Sequence, residues 1–193
     1  MIGELLPLTK RRLKILSGVY IYGPLHNSEL SRLVDIDKQN VSLQVNKLLK
    51  RNIVKVHKKI GRSIEYSLSK DIEKKLGSLI NEFRKEELFI DSPVIGRIRN
   101  YILKKFPELV KIYVIGSYLT NSAKNDLDLV VIFENSVPSK IKKVVGDIDK
   151  LYGVRTDLIP YSEESFKKER DSDSLFYQTT FKNRANHLLI YGK

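Results

Sequence analysis

Residues 126–133 read Asp-Leu-Asp-Leu-Val-Val-Ile-Phe, and no other stretch of the chain constrains its folding more. The run is apolar apart from its two aspartates, as a buried strand is. Side chains alternate along a strand, so Asp126 and Asp128 stand on one face, near enough to share a cation. Upstream, Val110 to Ile115 is a second buried strand. It ends at Gly116-Ser117, and a polar stretch from Tyr118 to Asn125 joins the two. Ser92-Pro93 opens a helix, serine as cap and proline in the first turn. That helix carries Ile95, Ile98, Ile102 and Leu103 to Phe106 and stops at Pro107. Downstream, a helix over Ser139 to Leu151 precedes a third strand, Val154 to Ile159, which places Asp157 in another apolar run.

Carboxylates in such positions cost free energy unless partnered. Arg155, Lys124 or backbone amides can serve, and so can a divalent metal. Magnesium takes oxygen ligands, and two such ions can hold the attacking and leaving oxygens of a phosphoryl displacement. Gly116-Ser117 suits the same chemistry, because glycine lets a phosphate approach the backbone and the amides opening the next turn favour an anion.

The first third of the chain has a different rhythm. Thr9 caps a helix to Tyr22 with Leu13, Leu16 and Tyr20 on one face, and Gly23-Pro24 ends it. Asn27-Ser28 opens a short second helix with Leu30, Leu33 and Val34 on one side. Asp37 caps a third, whose apolar positions Val41, Val45, Leu48 and Leu49 follow helical spacing. Its other face is predicted to present Lys38, Gln39, Asn40, Ser42, Gln44, Asn46 and Lys47, side chains able to bond base edges or phosphates, with no acid among them. After Arg51-Asn52 the period becomes two: Val54 and Val56, then Ile64, Tyr66 and Leu68, flank a turn containing Lys58, Lys59, Gly61 and Arg62. A further helix over 71–90, with Ile72, Leu76, Leu79, Ile80 and Phe83 on one stripe, is either a dimerisation helix or a connector.

Charge follows this division. Of a net +12, residues 1–70 hold 14 Lys/Arg against 5 Asp/Glu, a net of +9. Cations so concentrated indicate a polyanion site, since releasing counterions from phosphates supplies most non-specific DNA affinity. There is no cysteine, so disulfides and thiolate metal sites are excluded. The three histidines, His26, His57 and His187, lack ligand spacing for zinc. Apolar runs are too short for a membrane span, and the first residues lack the pattern of a signal peptide, so a cytoplasmic protein is expected.

Two resemblances follow. Asp37 to Ser42 and Leu48 to Val54, within residues 9–70, resemble the recognition helix and first wing strand of bacterial and archaeal winged-helix regulators, with Asn52 where a glycine is usual. The resemblance implies that the third helix enters the major groove of double-stranded DNA and that the wing touches backbone or minor groove. Over about residues 93–193, the strand ending in Gly-Ser, the Asp-x-Asp strand and the third aspartate resemble nucleotidyltransferases of the DNA polymerase beta superfamily, specifically the minimal group. That likeness implies that Gly116 and Ser117 contact a nucleotide triphosphate such as ATP. It also implies that Asp126 and Asp128 bind two magnesium ions, and that Asp157 completes one metal site and helps activate the acceptor hydroxyl. The Arg-Gly usual after Gly-Ser is Leu119-Thr120 here, the serine usual before the first aspartate is Asn125, and the interval from Ser117 to Asp126 is a residue shorter than is common.

The expected fold is α/β in two domains: a winged helix-turn-helix over 1–70, a connecting or dimerisation helix over 71–91, and an α+β nucleotidyltransferase fold with a mixed sheet over 92–193. The expected function is DNA-binding transcriptional regulation by a homodimer. The alternative is metal-dependent transfer of a nucleoside monophosphate to a hydroxyl, with the winged helix as targeting module.

Overall fold

The computed structural model describes residues 7–61, 63–119 and 126–193. The chain divides into two compact units, one up to Phe83 and one from Arg84.

In the first unit, the Thr9 hydroxyl accepts a hydrogen bond from the Arg12 amide at 3.4 Å and starts helix α1 (Lys10–Tyr22). Burial centres on Ile15 to Val19, whereas Leu13 and Tyr20 of the predicted face are half-buried. Gly18 explains the rotation. A Cβ there would lie 2.6 Å from Leu30 Cδ1 and 3.1 Å from Val34 Cγ1, so helix α2 (Asn27–Val34) packs directly on the α1 backbone. At the start of α2 the His26 N–H donates to Glu29 Oε2 at 3.0 Å. Helix α3 (Lys38–Leu49) is capped by Asp37, which accepts from the Asn40 N–H at 2.8 Å. Hydrogen bonds from Asn40, that of its side chain foremost, hold the Asp37 carboxyl below its usual range.

Asn52 takes the left-handed conformation (φ 54°) that its place after α3 requires. Strands β2 (Val54–Ile60) and β3 (Ser63–Leu68) follow, with β1 (Leu25–His26) before α2. They form an antiparallel sheet in the order β1-β3-β2. The two-residue strand β1 was not expected. Three helices with a hairpin and this small sheet are a winged helix-turn-helix. Helix α4 (Lys70–Asp91) adds Leu76 and Ile80 to the same core.

The second unit continues with α5 (Pro93–Lys105), β4 (Leu109–Ile115), a 3-10 turn over Gly116–Leu119, β5 (Asp126–Phe133) and α6 (Ile141–Tyr152). After these come β6 (Arg155–Ser162), α7 (Glu163–Asp171), α8 (Leu175–Phe181) and β7 (His187–Gly192). Ser92 holds the N-cap position of α5, but its hydroxyl makes no capping bond, and Pro93 alone supplies the predicted start signal. The four strands form one mixed sheet in the order β6-β5-β4-β7, in which only β5 and β6 run parallel. Leu127, Leu129, Val131 and Phe133 of β5 pack with Ile98 and Ile102 of α5 and Val144 and Ile148 of α6. On the opposite face Val130 and Ile132 meet Phe166, Phe176 and Phe181 of α7 and α8. Helices on both faces are why β5 is apolar on both faces. Among the described residues, no helix is long and apolar enough to cross a membrane.

Candidate functional site

On α3, Lys38, Gln39, Asn46 and Lys47 are exposed, and Asn40 and Ser42 are half-buried. The Asn40 side-chain amide donates to Asp37 Oδ2 at 2.5 Å, so part of its bonding capacity serves the cap. Gln44 is a correction to the sequence reading. It is 9% exposed, and its Oε1 accepts from Arg12 Nε at 2.9 Å. Position 44 lies three residues after Val41 and four before Leu48, on the buried stripe, so a polar side chain there ties α3 to α1. Leu43, 50% exposed, faces outward instead. It was missed because a leucine in a helical pattern reads as core.

Lys58 and Lys59 are exposed near the hairpin tip, where a register shift between Val56 and Lys58 bends the strand, and Gly61 turns it at φ 57°. Arg62 lies outside the described residues. Between α3 and β3 is a groove of about 390 Å³ lined by Lys38, Ser42, Asn46 and Ser63. His26 also borders it, its Nδ1 2.9 Å from Ser63 Oγ. No sequence spacing marked His26, because β1 brings it there.

In the second unit the register puts Asp128 of β5 beside Asp157 of β6, and Asp126 beside Arg155. In a parallel pair, residues side by side point to the same face, so the three carboxylates share the face on which α7 and α8 lie. Burial raises the Asp128 pKa above the usual carboxylate range, and the charges of Asp157 and then Asp126 raise it further. Arg155, the partner that sequence offered for these acids, reaches Asp126: its Nε is 3.9 Å from Oδ1, with both side chains well exposed. No ion pair reaches Asp128 among the described residues; Lys124 lies outside them.

Gly116 closes the site from β4. It adopts φ 74°, and a Cβ on it would lie 3.0 Å from Asp128 Oδ2, so any side chain would both strain the backbone and crowd the carboxylate. Its N–H donates to the Asn186 carbonyl at 3.1 Å and is therefore not aimed at a phosphate. Ser117 and Tyr118 continue the turn, and the Tyr118 hydroxyl pKa is raised by burial and by Asp126. Among the described residues no group of three or more His, Asp or Glu side chains is close enough to hold a metal ion. The three aspartates share a face without converging on one point, and Asp126 leans towards Arg155. The donor set is the oxygen-only kind that magnesium takes.

Residues 95–181 match the family described as "Nucleotidyltransferase domain". No curated protein is significantly similar to the chain. Among solved structures, the AntR antimony-specific transcriptional repressor is 24% identical with a TM-score of 0.37, covering 40% of this chain and 71% of its own. NadR in complex with 4-hydroxyphenylacetate is 21% identical with a TM-score of 0.39, over 55% of this chain and 76% of that one. A MarR family transcriptional regulator from Silicibacter pomeroyi is 24% identical with a TM-score of 0.37, over 55% and 74%. The chain carries a nucleotidyltransferase domain over residues 95–181, preceded by a winged helix-turn-helix.

Proposed function

We propose that the chain is a DNA-binding transcriptional regulator that reads duplex DNA with α3 and the wing. The observation that carries this reading is the outward face of α3: Lys38, Gln39, Ser42, Leu43, Asn46 and Lys47 contain no acid, in a segment with a net charge of +9. Lysines supply phosphate contacts, and Gln39 and Asn46 have the donor-acceptor pairs that match adenine edges. Such a protein acts in the cytoplasm, and dimerisation through α4, where Leu79 is 41% exposed, would match a two-fold site. Selection from a random duplex pool tests the reading. The wild type enriches a motif, and a Gln39→Ala/Asn46→Ala double variant enriches a weaker or altered one. Identical motifs would remove α3 as the reader.

The second reading is transfer of a nucleoside monophosphate from a triphosphate to a hydroxyl, with the winged helix as targeting module. It is favoured by Asp128, which has two carboxylates beside it and glycine backbone over it. Asp126, Asp128 and Asp157 would hold magnesium, which neutralises phosphate charge and polarises the phosphoryl group. Gly116 leaves room for the triphosphate at the β4 end, Ser117 can donate to a phosphate oxygen, and Asp157, the most exposed of the three, can take the proton of the attacking hydroxyl as pyrophosphate leaves. Incubation with α-labelled ATP and cell extract tests it: label transfer by wild type and none by Asp128→Asn is expected. No transfer by wild type at millimolar magnesium would leave the domain to sensing or scaffolding.

A further inference from the structure

On the face of the sheet that carries the carboxylates, a groove of about 630 Å³ runs between β4 and α7–α8. Its floor holds an unusual residue. Lys111 sits half-buried on β4, an interior strand of the sheet, beside Tyr113, Ile132, Phe166 and Phe181, which also line the groove. An ammonium in such a place costs free energy unless an anion accompanies it. Among the described residues neither Lys111 nor Lys167, which lines the groove from α7, forms an ion pair. Arg170 adds a third cation at the rim beside Asp171. Of the two lining carboxylates, Glu164 is held by Lys168 at 2.7 Å, as Arg170 is by Asp171 at 3.1 Å, which leaves Glu163 against two cations, Lys111 and Lys167.

The walls are aromatic. Tyr113 stacks on Phe166 with ring centroids 6.3 Å apart, and Tyr177 stacks on Phe181 at 5.5 Å. We propose that this groove binds a small planar organic anion, its ring against these aromatic faces and its acidic group between Lys111 and Lys167. The volume lies in the range of roughly 300–1,000 Å³ typical of small-molecule sites, and a few cations in an aromatic lining set orientation as such sites do. The site is distinct from the aspartates. Lys111 pairs with Ile132, four residues along β5 from Asp128, about 13 Å at the rise of a strand. It therefore stands whether or not the domain transfers nucleotides. A bound anion would make the second domain a ligand sensor.

Isothermal titration of the full chain tests the proposal with benzoate, phenyl phosphate and AMP as ring-bearing anions. Inorganic phosphate, phenol and an eight-residue oligothymidylate serve as controls. At least one ring-bearing anion is expected to bind one-to-one below millimolar concentration, with phosphate and phenol at least tenfold weaker. Lys111→Glu/Lys167→Glu is expected to weaken it at least tenfold, and Asp128→Asn to leave it unchanged. Where the double variant fails to fold, Lys167→Glu alone, on an exposed helix position, serves with the same expectation. The proposal is overturned by ring-bearing anions binding no tighter than phosphate or surviving the charge reversal. Loss of binding in Asp128→Asn, or binding of the oligonucleotide alone, overturns it equally.

Discussion

Replacing Gln44 by alanine separates stability from sequence reading, because the side chain faces inward from a helix that otherwise offers polar groups to DNA. Its Oε1 accepts from Arg12 Nε at 2.9 Å in a place where Gln44 is 9% exposed. Arg12 also donates to the Pro7 carbonyl, so the guanidinium keeps one partner and loses the other. A donor left unsatisfied costs about 1–3 kcal/mol. The lost methylene adds roughly 0.8 kcal/mol, giving about 2–4 kcal/mol out of the roughly 5–15 kcal/mol of a typical domain. At about 4–8 °C per kcal/mol for a unit of this size, the first unit should melt some 10 °C lower or more. Amide exchange at α1 and α3 follows that unit specifically, and Gln44→Glu should recover most of the loss by a charge-assisted bond to Arg12. The DNA motif selected by a variant kept folded at low temperature should not change. A Gln44→Ala protein of unaltered stability that selects a different motif would refute the inward assignment.

Asp128→Asn should stabilise the protein in chelator at pH 7. The raised pKa means that the folded state holds the proton more tightly than the unfolded state, so a penalty grows as pH climbs past 3.8 and is complete above the raised value. Repulsion at ~5 Å is ~0.8 kcal/mol in water and ~3 kcal/mol at an effective dielectric of 20. With partial exposure about 1 kcal/mol is expected at pH 7 and none near pH 3; destabilisation in chelator would point to a structural role. Magnesium should raise the melting temperature of wild type and not of this variant, and indifference of wild type to millimolar metal would remove the metal reading. Gly18→Ala should cost about 1–3 kcal/mol by overpacking against Leu30 and Val34, and a neutral result in denaturant melts would contradict the direct contact of α1 and α2. Leu43→Ala should leave stability within about 0.5 kcal/mol yet shift preference at a thymine, whose methyl an exposed leucine can touch; an unchanged selected motif would take Leu43 out of the interface.

Periodicity made the elements of the first unit legible, because a change from helical spacing to alternation after Asn52 has few structural meanings. It erred at Gln44 and passed over Leu43, where polarity and face disagree: the stripe is set by position, and residue type there is the exception. Asp126 and Asp128 were legible as a same-face pair from alternation alone. Their relation to Asp157 was not, since it depends on β5 and β6 lying side by side in parallel register. Helices α7 and α8 escaped because one buries no residue fully and the other is seven residues long, too short for a helical period to show. Their aromatic side chains cover half of the sheet, so the groove floored by Lys111 could be seen only in three dimensions. Gly116 reads in the sequence as a phosphate approach; the structure adds that its amide is taken by Asn186 and that its lack of a Cβ also makes room for Asp128.

The salt dependence of duplex binding tests DNA recognition by the first unit most directly. Affinity of the full chain for a 20-base-pair duplex, measured across salt concentrations, should fall linearly on logarithmic axes with a slope of about −0.9 per phosphate neutralised. Neutralising Lys38, Lys47, Lys58 and Lys59 to glutamine should flatten that slope by as much as ~3–4, with the melting temperature kept. A wild-type slope near zero, or a slope that the four substitutions leave unaltered, would contradict the assignment of α3 and the wing to DNA.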